Sequence, residues 1–225
     1  MLTPEQIQAL RQVDTPTICN AIETFNIRGR VEGFMGMAIR CLLPELGTMA
    51  GYAVTLTVDS TTPAVAQDPQ VWLEWMTAMA NSSRPVVLVM QDVGPTLEKS
   101  AHLGEVMGTL AKRLGVVGIV TDGGLRDILE VKALGLQCFA AGLTPAHGNP
   151  RLLKVNVPVV IDGVPVHPGD LLHGDINGIT TIPLEIADRV MKAVEKIRQD
   201  EAGTMAYIKS PDFTIEGFYK RRFTH

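Results

Sequence analysis

An α/β fold built on a parallel sheet is predicted by three features of the sequence. Continuous apolar runs at 86–90, 116–120 and 138–141 have the length and branching of strands buried on both faces. Helical patterns at 104–114 and 126–134 lie between them, each stopped by a glycine, Gly115 and Gly135. Strands alternating with helices in this way form parallel βαβ units with right-handed crossovers. The 225 residues carry no linker-like stretch, repeat or low-complexity tract, so one domain over 1–225 is expected. A chain of this mass should expose roughly 10,000 Å² when folded and about 35,000 Å² when unfolded, enough burial for one core.

Before the parallel region, Thr3, Pro4 and Gln6 spell a capping box at a helix start, with Leu2 and Ile7 as its hydrophobic staple. Thr15-Pro16 repeats the start signal, and Ile18, Ala21, Ile22 and Phe25 form one apolar face. Residues 28–48 are mixed, with turns at Gly33 and Gly36. Alternation over 53–58 predicts a half-buried strand. Val71, Trp72, Trp75, Met76 and Met79 recur at helical spacing, as a core stripe does. Past the parallel region come short strands at 157–161, 164–166, 170–173 and 179–182, with Asp162-Gly163 as a hairpin turn. A last helix is expected at 184–201, followed by an aromatic and basic arm over 215–225 suited to packing on a neighbouring subunit.

Composition excludes several classes. Hydrophobic content of 46% with 20% charge is that of a folded chain. A net charge of −4 argues against a general nucleic-acid binder. No apolar run approaches the ~20 residues of a membrane span, and the N-terminus lacks a signal pattern. Cys19, Cys41 and Cys138 are unclustered, as free thiols are in a reducing, cytoplasmic setting.

The chemistry concentrates where strands hand over to helices, the edge of an open sheet that takes ligands. The first such edge is Gly104-Glu105-Val106-Met107, a helix start whose free amides can receive an anion. The second is 121–127, Thr-Asp-Gly-Gly-Leu-Arg-Asp. A cation at a helix start is disfavoured, so Arg126 there makes sense beside an anion, which its planar fork can hold. Asp127 and Glu105 each also suit a first helical turn on stability alone. Together, two helix starts, an arginine and two or three carboxylates describe a site for a carboxylate substrate and a hard divalent cation. No HExxH or CxxC competes, and there is no GxSxG, Walker loop or GxGxxG. His102 can line this site and His147 can close over it; His167 and His173 are lesser metal candidates.

These segments, with 118–127, resemble the signature of the RraA-like family, which holds both 4-hydroxy-4-methyl-2-oxoglutarate/4-carboxy-4-hydroxy-2-oxoadipate aldolases and the regulator of ribonuclease activity A. The resemblance runs from about Thr15 to Pro183. Leu103 is a departure, standing where many members carry an aromatic residue. The resemblance implies a layered α/β/α sandwich like the swivelling phosphohistidine domain, extended by N-terminal helices and a C-terminal arm, and assembled as a homotrimer or homohexamer. It implies a class II pyruvate aldolase that uses Mg²⁺ or Mn²⁺ on a small 2-oxo acid and also decarboxylates oxaloacetate. By position, Asp127 is its metal ligand, Arg126 holds the substrate, the amides of Gly104, Glu105, Val106 and Met107 receive the pyruvate carboxylate, and Glu105 orients a metal-bound water. A neighbouring subunit's late helix contributes a carboxylate in that family, with Glu195 and Glu201 as candidates. The other reading is a non-catalytic regulator that binds a protein through its surface.

Overall fold

In the computed structural model, which describes residues 1–63 and 65–223, the chain forms a strongly curled mixed sheet with seven α-helices among the described residues. The last two residues of the expected arm, Thr224 and His225, and Ala64 lie outside the described residues.

Helix α1 (Pro4–Leu10) carries the complete reciprocal capping box between Thr3 and Gln6. Helix α2 (Thr15–Glu23) is capped by Asp14, whose carboxylate accepts the Thr17 N–H at 2.9 Å. Strand β1 is short (Arg40–Cys41) and β2 is long (Met49–Asp59). Helix α3 (Pro69–Asn81) buries Trp75 and Met79. The parallel region follows as β3 (Val86–Asp92), β4 (Ala101–Leu103), α4 (Glu105–Arg113), β5 (Val116–Thr121), β6 (Gly124–Leu125), α5 (Ile128–Ala133), β7 (Gln137–Ala140) and β8 (Gly142–Leu143). Then come β9 (Arg151–Val155), β10 (Val159–Ile161), β11 (Val164–Val166), β12 (Leu171–Asp175), β13 (Gly178–Ile182), α6 (Val190–Lys209) and α7 (Ile215–Phe223).

The main sheet runs β1-β7-β5-β3-β2-β12-β13. Pairs β2–β3, β3–β5 and β5–β7 are parallel, as the βαβ pattern requires; the outer pairs are antiparallel. One edge of β2 is paired along its length by β3, and the other is divided between β12 and β9. Strand β2 is therefore buried on both faces, where alternation had predicted a half-buried strand. Thr55 does not face water: its hydroxyl donates to Val157 O at 2.6 Å.

The two faces of β2 separate the cores. Val54, Leu56 and Val58 pack with Trp75, Met79, Ala111 and Val131 under α3, α4 and α5. Ala50 and Tyr52, on the same face, pack under α1, α2 and α6. Met49 and Ala53 point the other way, with Val87, Val89, Phe139, Leu172 and the β10–β11 hairpin. The helices thus cover one face, and a hairpin with residues 35–39 covers the face where a sandwich would put a second helical layer. The reason is the path of residues 34–41. Phe34 bridges to Thr180 at one edge of the sheet, and Arg40–Cys41 pairs with β7 at the other, so the sheet nearly closes on itself.

Several boundaries move. The last helix begins at Val190, because residues 184–189 form turns, and it runs on to Lys209. Helix α5 begins at Ile128, two residues after the expected Arg126, because Asp127 takes a left-handed conformation that a helix cannot contain.

Candidate active site

Strands β4, β6 and β8 form a small parallel sheet of their own, which the sequence pattern did not reveal. Its register sets Ala101 beside Gly124, Leu103 beside Leu125, and Leu125 beside Leu143. It lies past the carboxyl ends of the parallel strands, the edge predicted to bind ligand. The Arg126 N–H donates to Leu103 O at 3.0 Å, which fixes the strand ends before either chain turns into its helix.

At that corner Gly104 is the N-cap of α4 and has no side chain to cap with. Asp127 fills the role from the neighbouring strand: its Oδ2 accepts the Glu105 N–H at 3.0 Å. It makes no capping bond to its own helix, although it stands at the N-cap of α5 with φ 51°. The Arg126 Nε lies 3.6 Å from the same oxygen. The helix start and the guanidinium both place positive charge beside this oxygen. Among the described residues Oδ1 has no hydrogen-bond partner. The packing leaves no room for a side chain on Gly104: a Cβ there would run into the Asp127 carboxylate and lie 3.0 Å from Arg126 Nε.

Gly104, Arg126 and Asp127 are thus brought together, while the other predicted residues divide. The Glu105 amide is taken by Asp127, and its exposed carboxylate has no partner among the described residues. The Val106 side chain is 81% exposed, and that of Met107 packs on the core, so these two residues can offer only their amides to a ligand. Arg126 and Asp127 line a cavity of about 310 Å³ with Ile128, Leu143, Thr144 and Pro145. A second cavity of about 300 Å³ adjoins it across Leu143 and Thr144 and contains Glu98 and Asp122. Burial pushes the Asp122 carboxyl above its ordinary range. A larger cavity, about 670 Å³, opens beside Ser82 and Ser83, ahead of β3 and so at the opposite end of the strands; among the described residues Glu74 is the ionisable one lining it.

The histidines take other places than the sequence suggested. His102 does not line the site but is buried behind it: Nε2 lies 2.6 Å from Asp92 Oδ2, and Nδ1 2.5 Å from Thr121 Oγ1. Burial works against the charged Asp92 carboxylate, but the bonds from His102 and the Gly94 amide help outweigh it and hold the pKa below the usual range. His173 is fully buried between the Thr15 hydroxyl and Leu10 O, and desolvation lowers its pKa, so it is a structural residue. His167 belongs to the turn that Asp170 Oδ2 closes on its N–H at 2.7 Å. The exposed His147 bonds the next residue's carbonyl. Asp92 was given no role from the sequence, and Thr121 only a place in the segment 121–127; their signal was position alone, each the last residue of a parallel strand.

The Aldolase/RraA model of the RraA-like family matches residues 15–181. A protein of Halalkalibacterium halodurans named "Putative 4-hydroxy-4-methyl-2-oxoglutarate aldolase" is 38% identical over 145 residues, 64% of this chain and 68% of its own length. Two further curated relatives are spanned over 55% and 59% of their lengths. Among solved structures, one described as a novel cellulase from gut-associated microbes superposes with a TM-score of 0.76 at 22% identity, covering 90% of this chain and 88% of its own. RraAS2 of Streptomyces coelicolor, described as an unusual member of the RNase ES inhibitor family, gives 0.71 at 23% identity, covering 91% and 97%. At these identities the structures bear on the fold alone.

Proposed function

The chain belongs to the RraA-like family, and from that premise we propose that it is a divalent-metal-dependent aldolase that splits 4-hydroxy-2-oxo acids into pyruvate and a second oxo compound. The observation that supports this most directly is the Asp127 carboxylate, held at Oδ2 by the start of α4 and by Arg126, with Oδ1 unbonded among the described residues and the residue lining a cavity.

The donor set suits Mg²⁺ or Mn²⁺, which keep most of their waters and need only one or two protein carboxylates. Among the described residues no group of three His, Cys, Asp or Glu could hold a metal, so a fully protein-ligated zinc site does not fit. When bound at Asp127, the cation supplies Lewis-acid stabilisation of the charge that develops on the 2-oxo group. Arg126 binds the substrate carboxylate through its planar fork, and the Val106 and Met107 amides at the start of α4 add donors. Glu105, exposed beside the corner, takes the C4 hydroxyl proton through a water as the C3–C4 bond breaks. It returns a proton to C3, which leaves pyruvate and the carbonyl fragment. The same charge stabilisation serves loss of CO₂ from oxaloacetate.

The test is pyruvate release from 4-hydroxy-4-methyl-2-oxoglutarate and from oxaloacetate, with Mg²⁺ or EDTA, beside Asp127→Asn. Asparagine tolerates the left-handed backbone, so this variant removes charge while keeping the conformation. Release should stop with EDTA and fall by about 100-fold or more in the variant. Full metal-dependent activity in Asp127→Asn sinks the assignment, and absence of release from both substrates favours a binding protein.

A further inference from the structure

We infer that His102, held between Asp92 and Thr121, is a positioning residue for the candidate site. It fixes the corner where Asp127 meets Glu105 without touching the ligand. The activity arm of this inference rests on the aldolase reading; the structural arm does not.

The imidazole closes a chain of hydrogen bonds. The Gly123 N–H donates to Thr121 Oγ1 at 3.1 Å, Thr121 Oγ1 lies 2.5 Å from Nδ1, and Nε2 lies 2.6 Å from Asp92 Oδ2. Asp92 continues it at both ends: its Oδ1 accepts the Gly94 N–H, and its own N–H donates to Asp122 Oδ1 at 2.7 Å. Ser100 Oγ, 3.0 Å from Nε2, donates to Leu97 O. One ring thereby ties the ends of β3 and β5 to the start of β4. Threonine, histidine and aspartate in series resemble a hydrolase triad, but Thr121 is wholly buried, so no substrate reaches its hydroxyl.

Stability alone is a weak reason for this arrangement. The His102 and Asp92 side chains are both fully excluded from solvent, and a buried pair of this kind often adds little over apolar residues of the same volume. What it adds is geometry, since a satisfied buried network admits one arrangement. The geometry reaches the site within three residues. His102 precedes Leu103, whose carbonyl takes the Arg126 N–H, and Glu105, whose amide holds Asp127. Gly123 lies against the ring so closely that a Cβ there would fall 2.5 Å from His102 Cε1.

Thr121→Val keeps the shape and removes the hydroxyl; Thr121→Ser keeps the hydroxyl. Each would be examined by amide hydrogen exchange, Mn²⁺ binding and steady-state pyruvate release. In Thr121→Val, exchange at 104–105 and 123–126 should accelerate about tenfold or more while β3 stays protected, and Mn²⁺ should bind more weakly. The kcat should fall about 10- to 100-fold with KM within about twofold, and Thr121→Ser should stay near wild type. Asp92→Asn, which keeps an acceptor toward Nε2, should lie between them. Unchanged exchange and kcat in Thr121→Val overturn the inference. So does acceleration spread equally through β3 and β5, with Thr121→Ser no better, which is the mark of a merely structural role. Wild-type protein that releases no pyruvate refutes the aldolase reading alone, since exchange and Mn²⁺ binding still decide the positioning.

Discussion

Asp127 holds a backbone conformation that costs a non-glycine residue roughly 1–2 kcal/mol, and it does so without capping its own helix. That strain makes sense because the left-handed turn delivers the carboxylate to the start of α4, where Gly104 leaves space for it. Gly104→Ala is therefore expected to displace Asp127 or Arg126. Stability should fall by about 1–3 kcal/mol in denaturant titration, and Mn²⁺ affinity should fall with it. A second carboxylate carries a pH dependence. Burial pushes Asp59 up, but hydrogen bonds from Thr62 and Thr61 and the Arg151 guanidinium at 2.6 Å bring it down to about 2. A carboxyl depressed in the folded state stabilises above its unfolded pKa near 3.9 and loses that contribution as pH falls toward the folded value. The difference in melting temperature between wild type and Asp59→Asn should thus be full at pH 5 and close between about pH 4 and 2. A gap that stays constant over that range contradicts the assignment.

At the scale of elements, β2 decides the architecture, because three other strands pair with it and both its faces are buried. Gly51 is where it has no slack: a Cβ there would lie 2.6 Å from Pro85 O, the carbonyl that accepts the Tyr52 N–H. Gly51→Ala should lower the urea midpoint by an amount equal to about 1–3 kcal/mol with the m-value unchanged, since backbone cannot rotate away as a side chain can. The parallel βαβ core was legible because its strands are uninterrupted apolar runs and its helices end at Gly115 and Gly135, both with positive φ. The capping box of α1 was legible because it is a purely local pattern of Thr3, Pro4 and Gln6. What was not legible depends on contacts distant in sequence. Two- and three-residue strands such as β4, β6 and β8 carry no periodicity, and they exist because they pair with one another. Arg126 and Asp127 stood out by residue type, yet their coupling to Glu105 needs that pairing. His102 looked like a site residue from its spacing to Glu105; on a strand it points away from the corner, toward Asp92.

The whole molecule exposes 11,980 Å², against roughly 10,000 Å² expected of a compact chain of this mass. The excess has an evident source. Among the described residues helix α6 fully buries only Val190 and Val194, and Arg198 ties it to the body through Gln12 O at 3.3 Å and Asp14 at 4.0 Å. Beyond it, the distal half of α6 and α7 pack on each other, with Tyr207 5.8 Å from Phe213 and Arg221 stacked 4.2 Å over Tyr207. Met205, Phe213, Ile215, Tyr219 and Phe223 remain between 41% and 83% exposed, an apolar surface that isolated solvated helices do not keep. A second copy of the chain is the occupant we propose for this arm, in line with the homotrimer or homohexamer expected from the sequence resemblance, and an interface of about 800 Å² per partner would suffice. Light scattering on a sizing column should then give a mass that is three or six times 24.3 kDa. Replacing Ile215, Tyr219 and Phe223 together by glutamate should shift it toward a single chain. The α1–α2 core should keep its melting transition, because none of the three residues is buried in the body. A wild-type mass of 24.3 kDa would show instead that the arm is free in solution and that the candidate site is complete within one chain.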